Sequence, residues 1–317
     1  MRIAVLDDYQ DYAKIAADWS GIERRAELVI FTQPIASPAA LIDALQDFEV
    51  ICLMRERTPF PREVLERLPN LKQVVLTGRR SQTLDIAYLA DRGIGIDYTS
   101  AGPAAHATPE IAIGLIFALA RQIAAGDRLM RAGEWLEHAP LGIVLHGRTL
   151  GIIGLGRVGT RVAEIARAIG MRVIAWSPNL TAERAAAAGV EYRGAKQALL
   201  READIVSLHL VLAPSTVNTI AAGDFAEFKR TALLINTARG PLIEESALVD
   251  ALRSRRIVGA ALDVYDVEPL PPDHPLRRLD NCILLPHFGY VTREIYDAFY
   301  RETAEAVARY LDRTVAP

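Results

Sequence analysis

The stretch "GIIGLGRVGTRVA", residues 151–163, decides how the rest of the chain is read. Gly154, Gly156 and Gly159 form the spacing G-x-G-x-x-G. An apolar, strand-like run precedes it and a helical pattern opens from it, the context that separates a dinucleotide loop from a ligand-free glycine-rich turn. The first glycine permits the tight turn, the second lets a pyrophosphate approach the backbone, and the third lets helix and strand pack closely. The amides of Arg157 and Val158 would then face phosphates at a helix N-terminus.

Outward from this loop, short apolar runs alternate with helical patterns. Upstream lie "RIAVL" (2–6), "ELVIF" (27–31), "VICLM" (50–54) and "QVVLT" (73–77), with helical composition at 38–47 and 61–68. Downstream come "MRVIAW" (171–176), "IVSLHL" (205–210), "ALLIN" (232–236), "VGAALD" (258–263) and "CILLP" (282–286). This rhythm predicts parallel sheets with crossover helices. Within residues 100–135, Pro109 and Glu110 suit a helix first turn and the long apolar-rich run after them fits one buried helix, leading from one domain into the next. The segment 292–313 reads as a helix returning to the first domain. The expected fold class is α/β: two doubly wound parallel-sheet domains, a Rossmann dinucleotide-binding domain (101–288) inserted into a flavodoxin-like substrate-binding domain (1–100 and 289–317).

The chain has 317 residues and a net charge of −3, so its composition gives no reason to expect nucleic acid or an anionic membrane as a partner. Its longest apolar stretch, "IAIGLIFALA" (111–120), is too short to span a bilayer. Cys52 and Cys282 lie in strand-like runs and read as core thiols, so neither a disulfide nor a metal site is expected. The N-terminus lacks a signal-peptide pattern, and a cytoplasmic location is expected.

The strand "MRVIAW" ends at Ser177, where an NAD enzyme would place the Asp or Glu that binds the ribose 2′-hydroxyl. A serine does not repel a 2′-phosphate, and Arg157 is the nearest candidate to attract one. NAD and NADP both stay open, with a lean to NADP.

Three polar residues follow apolar strands, where parallel sheets bind ligands: Arg239, Glu268 and His287. A guanidinium can hold a carboxylate through two parallel bonds. A histidine can give a proton to a carbonyl oxygen near neutral pH, and a carboxylate bonded to it fixes its tautomer. Singly, each has a plainer reading: a helix cap or surface pair, a loop charge beside Pro269, a satisfied core histidine.

"GLGRVG", "NTARG", "ALDVYDVEP" and "LLPHFG", in this order and spacing, resemble the D-isomer-specific 2-hydroxyacid dehydrogenases over nearly the whole chain. The resemblance implies that Arg239 anchors a substrate carboxylate, that His287 is the acid/base and that Glu268 supports it. It also implies that Asp263 binds the nicotinamide amide, that His209 lies along the cofactor, and that Thr108, Thr237 and Ala238 approach its nicotinamide half. Gly289 would leave room for the ring, with His287 facing an interdomain cleft. The family's usual homodimer, through the nucleotide domain, is implied too. An NAD(H)-binding corepressor on the same fold is the alternative, and Glu268 speaks against a formate dehydrogenase.

The chain departs from that family at "TGRRS" (77–81). The family's substrate loop is commonly small; here Gly78 is followed by Arg79 and Arg80, and Arg55 and Arg57 stand in "LMRERT" (53–58). These are either surface charges or, for Arg55 and Arg79, contacts to a second anionic group on a dicarboxylate or phosphorylated acid. His106, Trp135 and His138 read as incidental.

Overall fold

The computed structural model describes residues 1–79, 81–100 and 102–314. It divides into two compact units: Met1–Pro103 with Val291–Pro317, and Ala104–Tyr290. Arg80 lies outside the described residues.

In the first unit, β1 (Arg2–Val5), β2 (Glu27–Ile30), β3 (Val50–Leu53), β4 (Gln73–Leu76) and β5 (Gly95–Tyr98) form one sheet in the order β2-β1-β3-β4-β5. Every pairing is parallel, with Ile3 opposite Val50 and Ile51 opposite Val74. Strands β3 and β4 are buried throughout, as expected of parallel strands covered on both faces. The edge strand β5, "GIDY", is half exposed and its apolar residues are interrupted by Gly95 and Asp97, so its sequence gives little signal. The helix Arg293–Thr314 buries Ile295, Tyr296, Phe299, Tyr300 and Val307 along one side. Its Tyr300 hydroxyl donates to buried Asp8 (2.8 Å), which also accepts from the amides of Tyr12 and Ala13.

In the second unit, β6 (Thr149–Ile153), β7 (Arg172–Trp176), β8 (Glu191–Tyr192), β9 (Ile205–Leu208), β10 (Leu233–Asn236), β11 (Gly259–Leu262) and β12 (Cys282–Leu284) form an all-parallel sheet. Its order is β12-β11-β10-β9-β6-β7-β8, which reverses between β6 and β9. That reversal is the switch point at which such sheets bind ligands.

One expectation is corrected. Residues 100–135 do not make one helix starting at Pro109. The helix Ala104–Ala120 begins five residues earlier, on helix-favouring alanines, and carries Pro109 inside it. It ends at Ala120; the left-handed backbone of Gln122 (φ 57°) breaks the run, and Ile123–Arg131 continues bent by 63°. The Gln122 side chain donates to the Leu119 carbonyl (3.2 Å), which also accepts from the Gln122 backbone amide (3.4 Å). Among the described residues no single helix is long and apolar enough to cross a membrane, though this bent pair is so by length and composition. Ala112, Ile113, Leu115, Ile116, Leu119 and Ala120 pack into the core of the second unit.

Candidate active site

The glycine loop follows β6, and each glycine has its own reason. Gly154 has φ 104°, and a Cβ there would meet the backbone of His209 and Leu210 at 2.7 Å, so only glycine lets the loops after β6 and β9 touch. A Cβ at Gly159 would run into the Gly154 carbonyl, the close helix–strand contact expected of the third position. At Gly156 a Cβ would meet open space, which leaves that side of the loop accessible to a ligand. The helix Arg157–Ala168 starts there, and its first internal bond runs from the Thr160 amide to Gly156, so the amides of Arg157, Val158 and Gly159 have no acceptor within the helix. The Gly154 amide donates to the Trp176 carbonyl (2.9 Å), fastening the loop to the end of β7 beside Ser177.

At the end of β9, the Ser207 hydroxyl and His209 Nε2 are 2.9 Å apart. His209 Nδ1 is buried with no hydrogen-bond partner among the described residues, and so is the Thr237 hydroxyl after β10. Burial pushes the His209 imidazole down to about 4, so the ring is neutral at ordinary pH. Two orphaned polar atoms beside a switch-point loop with exposed amides fit a dinucleotide that supplies the missing partners.

After β10, buried Asn236 clamps the loop. Its amide nitrogen donates to the Arg239 carbonyl (2.8 Å) and its oxygen accepts from the Ala238 amide (3.0 Å). The Arg239 guanidinium donates to the Ala238 carbonyl (2.7 Å). A Cβ at Gly240 would run into the backbone of Tyr265 and Asp266, so this loop lies directly on the one after β11. There the Tyr265 amide donates to Glu268 Oε1 (2.9 Å), and Glu268 Oε2 is 2.6 Å from His287 Nδ1. Burial raises the Glu268 carboxyl, but the bond to His287 and its charge, the Tyr265 amide and the Arg239 charge together bring it below its ordinary value. An ionised Glu268 accepts from Nδ1–H, which leaves Nε2 as the proton-carrying atom toward a ligand.

His287 stands at φ 58°, an unusual conformation for a non-glycine residue, and its surroundings hold it. Asp263 is fully buried and accepts from the amides of Phe288 (2.6 Å) and Gly289 (2.8 Å). Any contact from Asp263 to a nicotinamide would therefore come in addition to this turn. Burial raises its carboxyl above the usual value, against those two amides and the His287 charge. The Thr108 hydroxyl donates to the Gly289 carbonyl (3.0 Å), and the Tyr265 hydroxyl donates to the Leu285 carbonyl (2.8 Å). Sequence reasoning missed the holding roles of Asn236, Tyr265 and Asp263; only Asn236 carries a local signal, an asparagine just before a turn.

In the first unit, Gly78 (φ 81°) donates its amide to the Thr99 hydroxyl (3.0 Å). The Arg55 guanidinium fills the place a Cβ at Gly78 would take, and its Nη1 lies 3.4 Å from the Thr77 carbonyl. Arg57 is a tie within the fold: it donates to the Asp7 carbonyl and the Tyr296 hydroxyl, each at 2.7 Å, and lies over the Tyr9 ring. Arg79 and His106 are exposed, as are Trp135 and His138.

Residues 113–289 match the family model described as "D-isomer specific 2-hydroxyacid dehydrogenase, NAD binding domain". The chain is 38% identical over 262 residues to a glyoxylate reductase of Aeropyrum pernix, covering 80% of this chain and 78% of that one. It is 34% identical over 304 residues to a glyoxylate reductase of Korarchaeum cryptofilum, covering 94% and 90%. Among solved structures, a phosphoglycerate oxidoreductase from Vibrio cholerae o395 superposes with a TM-score of 0.91 at 32% identity, over 99% of this chain and 100% of that one. With its Rossmann unit, its glycine loop and its paired histidine and glutamate, the chain belongs to the D-isomer specific 2-hydroxyacid dehydrogenases.

Proposed function

We propose that this protein moves a hydride between a nicotinamide cofactor and a small 2-oxo acid, forming the D-2-hydroxy acid or running in reverse. The observation that carries the reading is the 2.6 Å contact between His287 and Glu268, with the Arg239 charge acting on the same carboxylate. When bound, the cofactor supplies or accepts the hydride. Arg239 holds the substrate carboxylate through paired N–H bonds and so orients the ketone. His287 gives its Nε2 proton to the carbonyl oxygen as that oxygen gains charge, and removes it in the reverse direction. Glu268 fixes the tautomer by accepting from Nδ1–H. The glycine loop, Ser177, His209, Thr237, Ala238, Asp263, Gly289 and Thr108 serve the cofactor, with NADP favoured over NAD because no carboxylate stands at Ser177. The exposed apolar residues Ile123, Trp135, Leu136 and Leu141 support a homodimer through the second unit. The two unpaired cysteines fit a cytoplasmic enzyme.

In the first unit, Gly78, Arg55 and Arg79 are the proposed substrate residues, and Arg55 is the binder of a second anionic group. The test measures NADPH or NADH oxidation with glyoxylate, hydroxypyruvate, phenylpyruvate and oxaloacetate. Turnover of at least one is expected; tight cofactor binding without turnover of any would overturn the reading. Arg55→Ala is expected to lower kcat/KM for oxaloacetate more than for glyoxylate, and an unchanged ratio would remove Arg55 from the substrate site.

A further inference from the structure

The turn after β7 is where the adenosine ribose lies if the chain binds a nicotinamide dinucleotide, so a role for this turn in cofactor choice rests on the proposed function. The turn is rigidly set. The Leu180 amide donates to the Ser177 carbonyl (3.1 Å), Leu180 is buried in the core of the second unit, and the glycine loop is bonded to Trp176, one residue before Ser177. Pro178 and Asn179 are exposed and Ser177 is half-buried, and none of the three carries a charge.

We infer that Arg184 is the residue that selects the cofactor, by contacting a phosphate on the 2′ oxygen of the adenosine ribose. Arg184 stands seven residues beyond Ser177, but its side chain folds back on the turn: Nη1 donates to the Asn179 carbonyl (3.1 Å). Its backbone amide donates to the capping hydroxyl of Thr181 (3.3 Å), which sets where the side chain starts. No carboxylate among the described residues pairs with its guanidinium. The neighbouring acid, Glu183, is turned to the helix start, where its own amide and the Thr181 hydroxyl hold its carboxyl below the usual range. A guanidinium with donors to spare, beside a serine and an asparagine and away from any competing carboxylate, suits a phosphate dianion and gives nothing to a ribose diol that needs an acceptor. Arg157, the arginine of the glycine loop, opens the helix there instead. It would act on the pyrophosphate, which both cofactors share.

The test is equilibrium binding to the full chain, by fluorescence for NADPH and NADH and by calorimetry for 2′,5′-ADP and 5′-AMP. The wild type is expected to bind NADPH tighter than NADH, and 2′,5′-ADP tighter than 5′-AMP. Arg184→Ala is expected to weaken NADPH and 2′,5′-ADP about tenfold, the loss of one charge-assisted contact at an exposed site, and to leave NADH and 5′-AMP within about twofold. Arg184→Lys should recover part of the loss. Arg157→Ala should weaken both dinucleotides alike, and Ser177→Asp should reverse the preference. Wild-type binding of NADH at least as tight as NADPH, or an Arg184→Ala variant with an unchanged ratio, overturns the inference and leaves the proposed activity standing. Binding of neither dinucleotide removes both.

Discussion

Two histidines stand at carboxyl ends of the same sheet, His209 after β9 and His287 after β12, and they are equipped for opposite tasks. His287 has an ionised carboxylate 2.6 Å from Nδ1 and a part-exposed ring. His209 has only the Ser207 hydroxyl on Nε2, and burial pushes it down to about 4. Residue type does not set the role. The partner does: His287 Nδ1 has a carboxylate to donate to, while His209 has only the Ser207 hydroxyl on its Nε2. His287 can therefore carry a proton to a ligand, and His209 can offer only a neutral ring.

The comparison breaks most visibly at His287. Replacing it with alanine is expected to lower kcat by about 10³-fold, within the usual range for a lost general acid. NADPH affinity in a binding titration should stay within about threefold. If kcat fell less than about tenfold, the proton would have to come from elsewhere. Arg239→Ala comes next, with kcat/KM down about 10²-fold or more, chiefly through KM, as when a charge-assisted double contact is lost. A change confined to kcat would mean that Arg239 does not hold the substrate.

Glu268→Gln sharpens the contrast, because it makes the His287 environment more like that of His209. With the carboxylate gone the tautomer is no longer fixed, so kcat for reduction should fall about 10- to 100-fold and its pH profile should change. A pH profile that matches the wild type would separate Glu268 from His287 in function. Gly240→Ala tests how the two are brought together. Its new methyl must displace the Tyr265 backbone, which holds Glu268, so a smaller fall in kcat/KM is expected, about tenfold. Wild-type kinetics would show that this close approach does not set the site.

Much of the fold and of the site is legible in the sequence. Parallel strands in a covered sheet read as apolar runs, so ten of the twelve strands among the described residues stand out. The two that do not are "GIDY" and "EY", edge strands in which glycine or acidic residues break the apolar run. The break at Gln122 has no glycine or proline to announce it. In the site, Arg239, Glu268 and His287 are visible because each follows an apolar run. The parts that hold them are not, because they depend on contacts across the sheet: Asp263 with amides 25 and 26 residues away, and Tyr265 with a carbonyl 20 residues away. The fold of Arg184 back onto Asn179 is short in sequence, but it joins a side chain to a backbone carbonyl, which residue types alone do not announce.

The smallest expected effect concerns stability. A histidine whose folded value lies near 4, below its ordinary 6.5, binds its proton more readily in the unfolded chain. Between those two values the unfolded state holds more protons, so stability rises with pH. The contribution is present above about 6.5 and is lost as pH falls toward 4. Its full size is on the order of 3 kcal/mol, and a titration from pH 7 to pH 5 should recover about half of that. Asp7 and Asp263, raised by burial, act in the opposite sense, and their effect is common to wild type and variant. Urea unfolding of wild type and His209→Gln at both pH values therefore isolates one imidazole. The wild type should lose roughly 1–2 kcal/mol more than the variant on going to pH 5. Equal losses would mean that His209 is protonated in the folded chain, and the distinction between the two histidines would then rest on Glu268 alone.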